Sequence, residues 1–279
     1  SSPIINWLRE NGMQILQECS IEFLSQSTKI FVNGSWIGIV SNPTLLLDTL
    51  KFNRRLGLIP IYTSFSWNIP NNEILLYTDS GRLCRPLLYV NSGTKTISYD
   101  LPHLEKRLQE QDFTWQQLFT GFIKKQDPDF HIDACQIYTI KDLYGAIPED
   151  ELHKNKGIIE YIDTAEQEGA LVSVEHVDFT KTRITNVEIH PSLMLGVMGN
   201  QVVFPEHNQL PRDLFSCGQS KQAVSLYHSN FQNRIDKMGV VLNYGQMPLV
   251  KSRYLKYIHN EEHPYGENPI VAIMCYNGY

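Results

Sequence analysis

The sequence lacks several features that mark common classes of protein. Its five cysteines are scattered without a CxxC pair, which argues against a zinc site or a disulfide framework and favours reduced thiols. It has no signal peptide and no apolar run of transmembrane length, so we expect a soluble protein inside the cell. The GxSxG and HExxH motifs of hydrolases are also absent.

Positive charge is scarce as well. The chain carries 24 Lys and Arg residues against 30 Asp and Glu residues, a net charge of −6, whereas free-standing nucleic-acid-binding proteins are usually basic. Between residues 183 and 279, eight basic residues are balanced by seven acidic ones. Any contact with nucleic acid is therefore expected to be local or shared with partner chains.

What is present supports a sizeable core. The chain has 279 residues, of which 42% are hydrophobic, enough for two or three subdomains. It opens on Ser1 without a methionine and stops at Tyr279, directly after an apolar segment from Asn268 that favours a buried strand. We expect an internal piece of a longer polypeptide.

The most informative stretch runs from Phe204 to Ala223, FPEHNQLPRDLFSCGQSKQA. A turn over residues 204–208 is followed by a predicted helix with Pro211 in its first turn, where a missing N–H costs nothing. Arg212 then lies in that first turn, where free N–H groups and the helix dipole favour an anion. A guanidinium added to such a position suits phosphate.

Helical spacing decides which residues share the face of Arg212. At 100° per residue, Gln222 lies on the same side, while Lys221 lies roughly opposite unless Gly218 breaks the helix. His207 and Asn208, in the turn before the helix, could position a backbone or a nucleic acid, and Gln209 beside them is a further candidate for binding nucleic acid. On spacing alone, a solvated polar face with Arg212 bound to a local carboxylate is the simpler explanation, because polar helix faces are common.

The first third of the chain predicts hairpins and short helices. Asn33-Gly34 in TKIFVNGSWIGIV is typical of a type I′ hairpin turn. Asn42 with Pro43 predicts the start of a helix, and Gly57 predicts its end. A helix over Ile4–Leu16, interrupted near Asn11-Gly12, is also expected. So is a second hairpin, with strands at 73–78 and 82–90.

Charged residues in this part have simple explanations. Arg54 and Arg55 suit the negative end of the preceding helix, so we expect a solvated helix end without a function. The acidic turn Asp163–Glu168 could bind a cation, but a solvated turn is the simpler interpretation.

Three other groups of residues could carry chemistry. A strand would place Glu188 and His190 on one face, as in an acid–base pair, but without a nucleophile motif a structural role is favoured. His131, Asp133 and Cys135 could suggest a metal site, but a fourth ligand is lacking. The basic cluster of Lys251, Arg253 and Lys256 could be solvated or could contact phosphate.

Several motifs resemble one family in the same order along the chain. FVNGSWIGIVSNP with LKFNRRLG and ILLYTDSGRLCRPLLYV resemble the first external domain of the second-largest (β-type) subunit of multisubunit DNA-directed RNA polymerases. GIIEYIDTAEQEGALVSV is similar to the second external domain. Three further motifs resemble the start of the hybrid-binding domain: TRITNVEIHPSLMLGV, VVFPEHNQLPRDLFSCGQSKQAV and NPIVAIMCYNGY.

The resemblance implies an α+β fold of several subdomains with hairpins and short helices, leading into a β-rich hybrid-binding region. It places a first external domain at 1–95, a second at 96–180 and the start of the hybrid-binding domain at 181–279. A divergent insertion near 119–156, with departures at Leu214 and Ser216, favours a divergent lineage such as a large DNA virus.

The same resemblance implies a function within a nucleotidyltransferase. Arg212 would face the incoming nucleoside triphosphate, and Lys221 and Gln222 would lie near the 3′ region of the RNA. Mg²⁺ would be bound mainly by the largest subunit, so the isolated chain is expected to be inactive. The implied partners are the largest and smaller polymerase subunits, template DNA, RNA and nucleoside triphosphates, with no membrane.

The expected location is the nucleus if the source is cellular, and the host cytoplasm or the virion if it is viral. An alternative function stays open, that of a non-catalytic scaffold module that docks partner subunits.

Overall fold

The computed structural model describes residues 3–91, 93–110, 114–121, 155–175, 178–222, 242–257, 262–264 and 266–278. Contacts between residues divide the chain into two units, Ser1–Ile189 and His190–Tyr279. Helices and sheets are mixed along the chain, which confirms the α+β class. The division into three domains at residues 95 and 180 stays a prediction.

Five strands of the first unit form a mixed sheet in the order β1-β3-β2-β5-β4. Strands β2 and β5 run parallel, and the other neighbours are antiparallel. The strands are β1 (Met13–Ile15), β2 (Thr28–Val32), β3 (Ser35–Val40), β4 (Ser64–Asn68) and β5 (Glu73–Tyr77). The helices of this part are α1 (Pro3–Glu10), α2 (Ile21–Gln26) and α3 (Pro43–Arg55).

An aliphatic core joins this sheet to its helices. The residues with no exposed surface come from α1, α3 and the central strands, which is the pattern expected when one face of each element is removed from water. They are Leu8, Ile30, Leu50, Ile74 and Leu76.

The first hairpin and the helix after it are confirmed. Asn33 and Gly34 both have positive φ, at 49° and 83°, as a type I′ turn requires. The Asn42 side chain accepts a hydrogen bond from the backbone N–H of Leu45 at 3.1 Å, with Pro43 at the first helical position.

The helix expected over Ile4–Leu16 stops at Glu10, next to the interruption expected near Asn11-Gly12, and its expected continuation to Leu16 is wrong. Gly12 takes a φ of 97° directly after α1, and the next three residues form β1. Met13 pairs with Val40 of β3 and is 3% exposed. Pairing with an open strand edge and burial of Met13 outweigh the weak local preference for helix.

The expected second hairpin is also wrong. β5 pairs with β4 and β2, whereas β6 (Cys84–Tyr89) leaves this sheet and joins another. Arg82 occupies the connection, where its Nη2 donates to the carbonyl oxygens of Tyr62, Tyr77 and Asp79. Since these contacts hold the chain at the end of β5, residues 79–81 form a crossing and not a hairpin turn.

The second sheet has the order β7-β6-β9-β8, in which β8 and β9 run parallel and β6 runs antiparallel to both β7 and β9. Its core includes Leu88, Ile159 and Val187. The remaining strands are β7 (Ile159–Asp163), β8 (Val172–Ser173) and β9 (Asn186–Val187), and the helices are α4 (Leu101–Gln109), α5 (Trp115–Thr120) and α6 (Thr164–Glu168).

A buried charge network joins α3 of the first sheet to β7 and α6 of the second. Arg54 donates through Nη1 and Nη2 to the two carboxylate oxygens of Glu166, each at 2.8 Å. Arg55 donates to Glu160, and its guanidinium lies 3.7 Å from the centre of the Tyr89 ring. Arg54 is 2% exposed. The expectation of a solvated helix end is therefore wrong.

The acidic turn belongs to the same network. Asp163 caps α6, accepting from the backbone N–H of Glu166 at 2.8 Å, and also binds Ser64 and Arg82 at 2.7 Å. Burial alone would raise the pKa of Glu160, but Arg55 and Arg54 hold that pKa well below its usual range. The solvated turn expected here is wrong, because Asp163 and Glu166 are buried. Each of these carboxylates binds a cation, as a buried charge requires.

We expect Glu166→Gln to lower the free energy of unfolding of the full chain by about 3–5 kcal/mol, because it removes the charge that binds the buried Arg54 guanidinium and leaves Glu160 as the one carboxylate for both Arg54 and Arg55. Urea unfolding followed by circular dichroism measures this. Glu168→Gln on the same helix is the control, since Glu168 is exposed. Equal unfolding free energies for the two variants would contradict the role assigned to the network.

The second unit contains only helical elements among its described residues. They are α7 (Gly196–Gly199), α8 (Leu210–Gln222) and 3₁₀ turns at Pro191–Leu195, Pro205–His207 and Leu255–Tyr257. None of the helices in the described ranges is both long and apolar enough to cross a membrane.

The buried strand expected at Asn268–Tyr279 is wrong. Residues 266–275 have no regular secondary structure, and Ile270 and Ile273 are 101% and 97% exposed. A strand needs a backbone ladder with a neighbouring strand, whereas Asn268 bonds to Gln246, Met247 and Leu249 through hydrogen bonds that each involve a side chain.

Candidate substrate-binding and nucleic-acid-binding site

The turn before α8 is tightly built. Phe204 adopts a left-handed conformation with φ 48°, which is uncommon for a bulky residue, and its ring stacks on His207 with centroids 5.1 Å apart. The backbone N–H of His207 donates to the carbonyl of Phe204 at 3.0 Å, and that of Asn208 to Pro205 at 3.1 Å. The predicted turn is confirmed, and it fixes where the helix begins.

Helix α8 starts as the sequence predicts. Pro211 is its second residue and Arg212 its third, with the Arg212 N–H donating to the Gln209 carbonyl at 2.9 Å. The Asn208 side chain donates to the Asp213 carboxylate at 3.2 Å. Asn208 therefore has a local role in shaping the helix start, and Gln209 is exposed beside it.

Arg212 is exposed and has no carboxylate within ion-pairing distance among the residues that the structure describes. Its guanidinium carbon lies 5.6 Å from the centre of the Phe215 ring, a cation–π contact that restrains the side chain. The neighbouring Asp213 carboxylate accepts from Asn208. The simpler explanation, that Arg212 binds a local carboxylate, is therefore not what the geometry shows.

Phe215 is the residue that sequence reasoning missed. It is 56% exposed and stands three positions after Arg212, the spacing at which two helical side chains meet. That i, i+3 pairing of a cation with an aromatic ring was the signal available in the sequence.

The helix continues through Gly218 without a break and ends at Gln222. Helical spacing therefore leaves position 221 about half a turn from position 212. The side chains of Lys221 and Gln222 lie outside the described part of the chain, so their predicted contacts stay predictions.

Glu188 and His190 do not act as a pair of their own. The Glu188 carboxylate accepts from Nη1 of Arg85, and Nδ1 of His190 accepts from the backbone N–H of Ser192 at 3.1 Å. Glu188 is 3% exposed, so it lies in the core as an ion-pair partner. The structural role favoured for both residues is confirmed.

Two candidate groups remain, the possible metal ligands at 131–135 and the basic cluster at 251–256. His131, Asp133 and Cys135 lie outside the described residues, and within those residues no group of three or more His, Cys, Asp or Glu side chains could hold a metal ion. Arg253 donates to the hydroxyl of Tyr254 at 3.0 Å, and Lys256 lies 4.9 Å from the Tyr257 ring.

Two family models match the chain. "RNA polymerase Rpb2, domain 4" matches residues 30–91, which include most of the first hairpin and all of α3. "RNA polymerase Rpb2, domain 6" matches residues 198–279, which include α8. The chain belongs to the family of second-largest subunits of DNA-directed RNA polymerases. Arg212 thus lies inside the stretch that resembles domain 6 of these subunits.

Relatives from plants, archaea and a virus span nearly the whole chain. DNA-directed RNA polymerase II subunit 2 of Arabidopsis thaliana is 36% identical over 99% of the chain, which corresponds to 21% of that protein. Subunit Rpo2 of Sulfolobus acidocaldarius is 32% identical over 94% of the chain and 20% of its own length. Subunit 2 of Acanthamoeba polyphaga mimivirus is 29% identical over 99% and 22%. The chain spans about a fifth of the length of these subunits.

Gly218→Ala tests whether α8 is continuous. A methyl group at this position would meet nothing within 4 Å. The substitution should stabilise the helix by about 0.5–1 kcal/mol, because alanine has less conformational entropy than glycine to lose when the helix forms. Amide hydrogen exchange of residues 214–218 in the full chain should slow accordingly. Gly81→Ala, also in open space, is the control. Faster exchange in Gly218→Ala would indicate a helix that breaks at this residue.

Proposed function

We propose that this chain is part of a DNA-dependent RNA polymerase and contributes to the binding of nucleotides and of the RNA–DNA hybrid during transcription. The observation that carries the proposal is the state of Arg212, exposed in the first turn of α8 with no carboxylate partner in the described chain. Its place in the stretch that resembles domain 6 of second-largest subunits supports the same proposal.

The chemistry of this position suits a triphosphate. The first N–H groups of a helix and its dipole attract negative charge, and a guanidinium adds two donors in the geometry of a phosphate edge. Phosphoryl transfer depends on positive charge that is already in position when the reaction begins. The contact with Phe215 limits the rotamers of Arg212 and so reduces the cost of holding it in place.

The neighbouring residues are proposed to contact nucleic acid. Gln209 is exposed at the start of α8, and Asn208 uses its amide to hold Asp213, so Asn208 would position the helix as well as contact a ligand. Gln222 shares the side of Arg212 by helical spacing, while Lys221 would contact a partner on the opposite side.

Metal chemistry is proposed to come from another subunit. The described residues contain no cluster suited to a metal ion, so they do not fit a Mg²⁺ site of their own. We propose that Mg²⁺ in the whole enzyme is bound mainly by the largest subunit. The largest and smaller subunits, template DNA, RNA and nucleoside triphosphates would be the partners.

A scaffold role is proposed for the first 180 residues. The buried charge network gives this part a defined shape, and Tyr62 and Trp115, each 54% exposed, flank Tyr161 at its surface. Such exposed aromatic side chains suit contacts with other subunits. The proposed location is inside the cell, in the nucleus for a cellular enzyme and in the host cytoplasm or virion for a viral one.

Arg212→Ala in the assembled polymerase should raise the apparent KM for nucleotides and slow their addition. Loss of charge-assisted hydrogen bonds worth about 1.5–3 kcal/mol predicts a fall in kcat/KM of about 10- to 150-fold. Single-nucleotide addition at limiting nucleotide measures this. Arg212→Lys should fall between, because it keeps the charge but not the fork, and Arg9→Ala is the exposed control. An unchanged rate at limiting nucleotide would remove Arg212 from the site.

The isolated chain should show no template-dependent RNA synthesis, because Mg²⁺ is proposed to be bound mainly by another subunit and the described residues contain no cluster suited to a metal ion. Incorporation of labelled nucleotide on a primed template measures this, with the assembled polymerase as the positive control. Synthesis by the purified chain alone would contradict the proposed division of labour between subunits.

A further inference from the structure

A cavity of about 350 Å³ lies in the first unit, away from Arg212 in the sequence and unrelated to the polymerase proposal. It is bounded by the turn after β6, by the start of α4 and by the segment that leads into β7. Among its lining residues are Asn91, Ser98, Asp100, His103 and Lys156. Its volume lies at the lower end of the range for small-molecule sites.

Lys156 is a buried cation without a carboxylate partner. The residue is 7% exposed, and its Nζ donates to Oδ1 of Asn91 at 2.8 Å. No carboxylate lies within ion-pairing distance of the Lys156 Nζ in the described ranges. The nearby Glu160 carboxylate pairs with Arg55 and Arg54 instead. Buried charges in proteins are usually paired, so the ammonium has unused capacity to bind an anion.

The electrostatic surroundings agree with this geometry. Burial and the nearby Arg55 charge together lower the pKa of the Lys156 ammonium to about 8, although the Glu160 carboxylate opposes the shift. The Tyr89 ring lies 5.5 Å from Nζ, and the Tyr89 hydroxyl donates to the carbonyl of Gly157 at 2.7 Å. An anion beside Lys156 would remove the cost of this buried charge.

A second unused polar group lines the same cavity. Nε2 of His103 is shielded from solvent and has no hydrogen-bond partner in the described residues. Asp100, at the N-terminal side of α4, lines the cavity as well and is exposed. The cavity thus offers an ammonium and an imidazole nitrogen to an anionic group, and a carboxylate to a hydroxyl or ammonium group.

We infer that this cavity is a binding site for a small organic anion, whose carboxylate or phosphate binds Lys156 and His103 and whose hydrogen-bond donor faces Asp100. Lys156 and His103 both line this cavity, and each has hydrogen-bonding capacity that the described residues leave unused. Each would cost folding free energy if it stayed unpaired, and one ligand satisfies both.

The test uses linkage between anion binding and the protonation of Lys156. Amine acylation of the full chain over a range of pH, with peptide mass spectrometry, gives an apparent pKa for Lys156 and for exposed Lys95 as a control. Inorganic phosphate and glycolate serve as probes, against chloride at equal ionic strength. A probe at about ten times its dissociation constant should raise the pKa of Lys156 by about one unit, because it binds the charged form.

His103→Ala should reduce this rise while circular dichroism confirms that the chain is folded, and His190→Ala in the other unit should leave the rise unchanged. A rise with phosphate but not glycolate identifies a phosphate site, and the reverse identifies a carboxylate site. An apparent pKa of Lys156 that is the same in phosphate, glycolate and chloride overturns the inference. An equal rise for Lys95 overturns it too, since it would reflect general ionic binding.

Discussion

The bidentate contact between Arg54 and Glu166 is the interaction on which the first unit depends. It connects the last turn of α3, which packs on the first sheet, with α6, which follows the edge strand of the second sheet. Two sheets with separate aliphatic cores could slide past each other, because apolar contacts are not directional. A planar guanidinium that meets a carboxylate with two hydrogen bonds fixes both distance and angle. The arrangement of the two sheets therefore depends on charge, although their stability depends on apolar burial.

The surrounding contacts make this buried charge tolerable. Glu160 binds Arg55 and lies 3.6 Å from Arg54, so the two cations share two carboxylates. Asp163 uses one oxygen for the start of α6 and for Ser64, and the other for Arg82. Because Arg82 also holds three carbonyl groups at the end of β5, the route of the chain between the sheets and the charge network form one connected structure.

Local rules predicted the elements whose causes are local. The turn at Asn33-Gly34, the cap at Asn42 and the start of α8 at Pro211 each depend on a few adjacent residues, and all three were found where expected. The errors have long-range causes. β5 pairs with strands on both sides, and Arg54 meets a residue 112 positions later, so neither partner can be read from the flanking sequence. The buried strand predicted at Asn268–Tyr279 was wrong for a different reason. Apolar composition indicates that a segment favours burial, but it does not identify the surface that would bury it.

The candidate site shows the same division. Its family and the position of Arg212 followed from the sequence, whereas the contact with Phe215 and the bond from Asn208 to Asp213 required coordinates. Helix α8 runs straight through Gly218, so positions 212 and 221 point about half a turn apart. A straight helix cannot present both to one small ligand, because about 13 Å of helix axis also separates them at 1.5 Å per residue. If Arg212 faces a nucleotide, as we propose, position 221 of an unbroken helix is too far away for the same small ligand, and an extended polyanion that passes the helix is the partner we propose for Lys221.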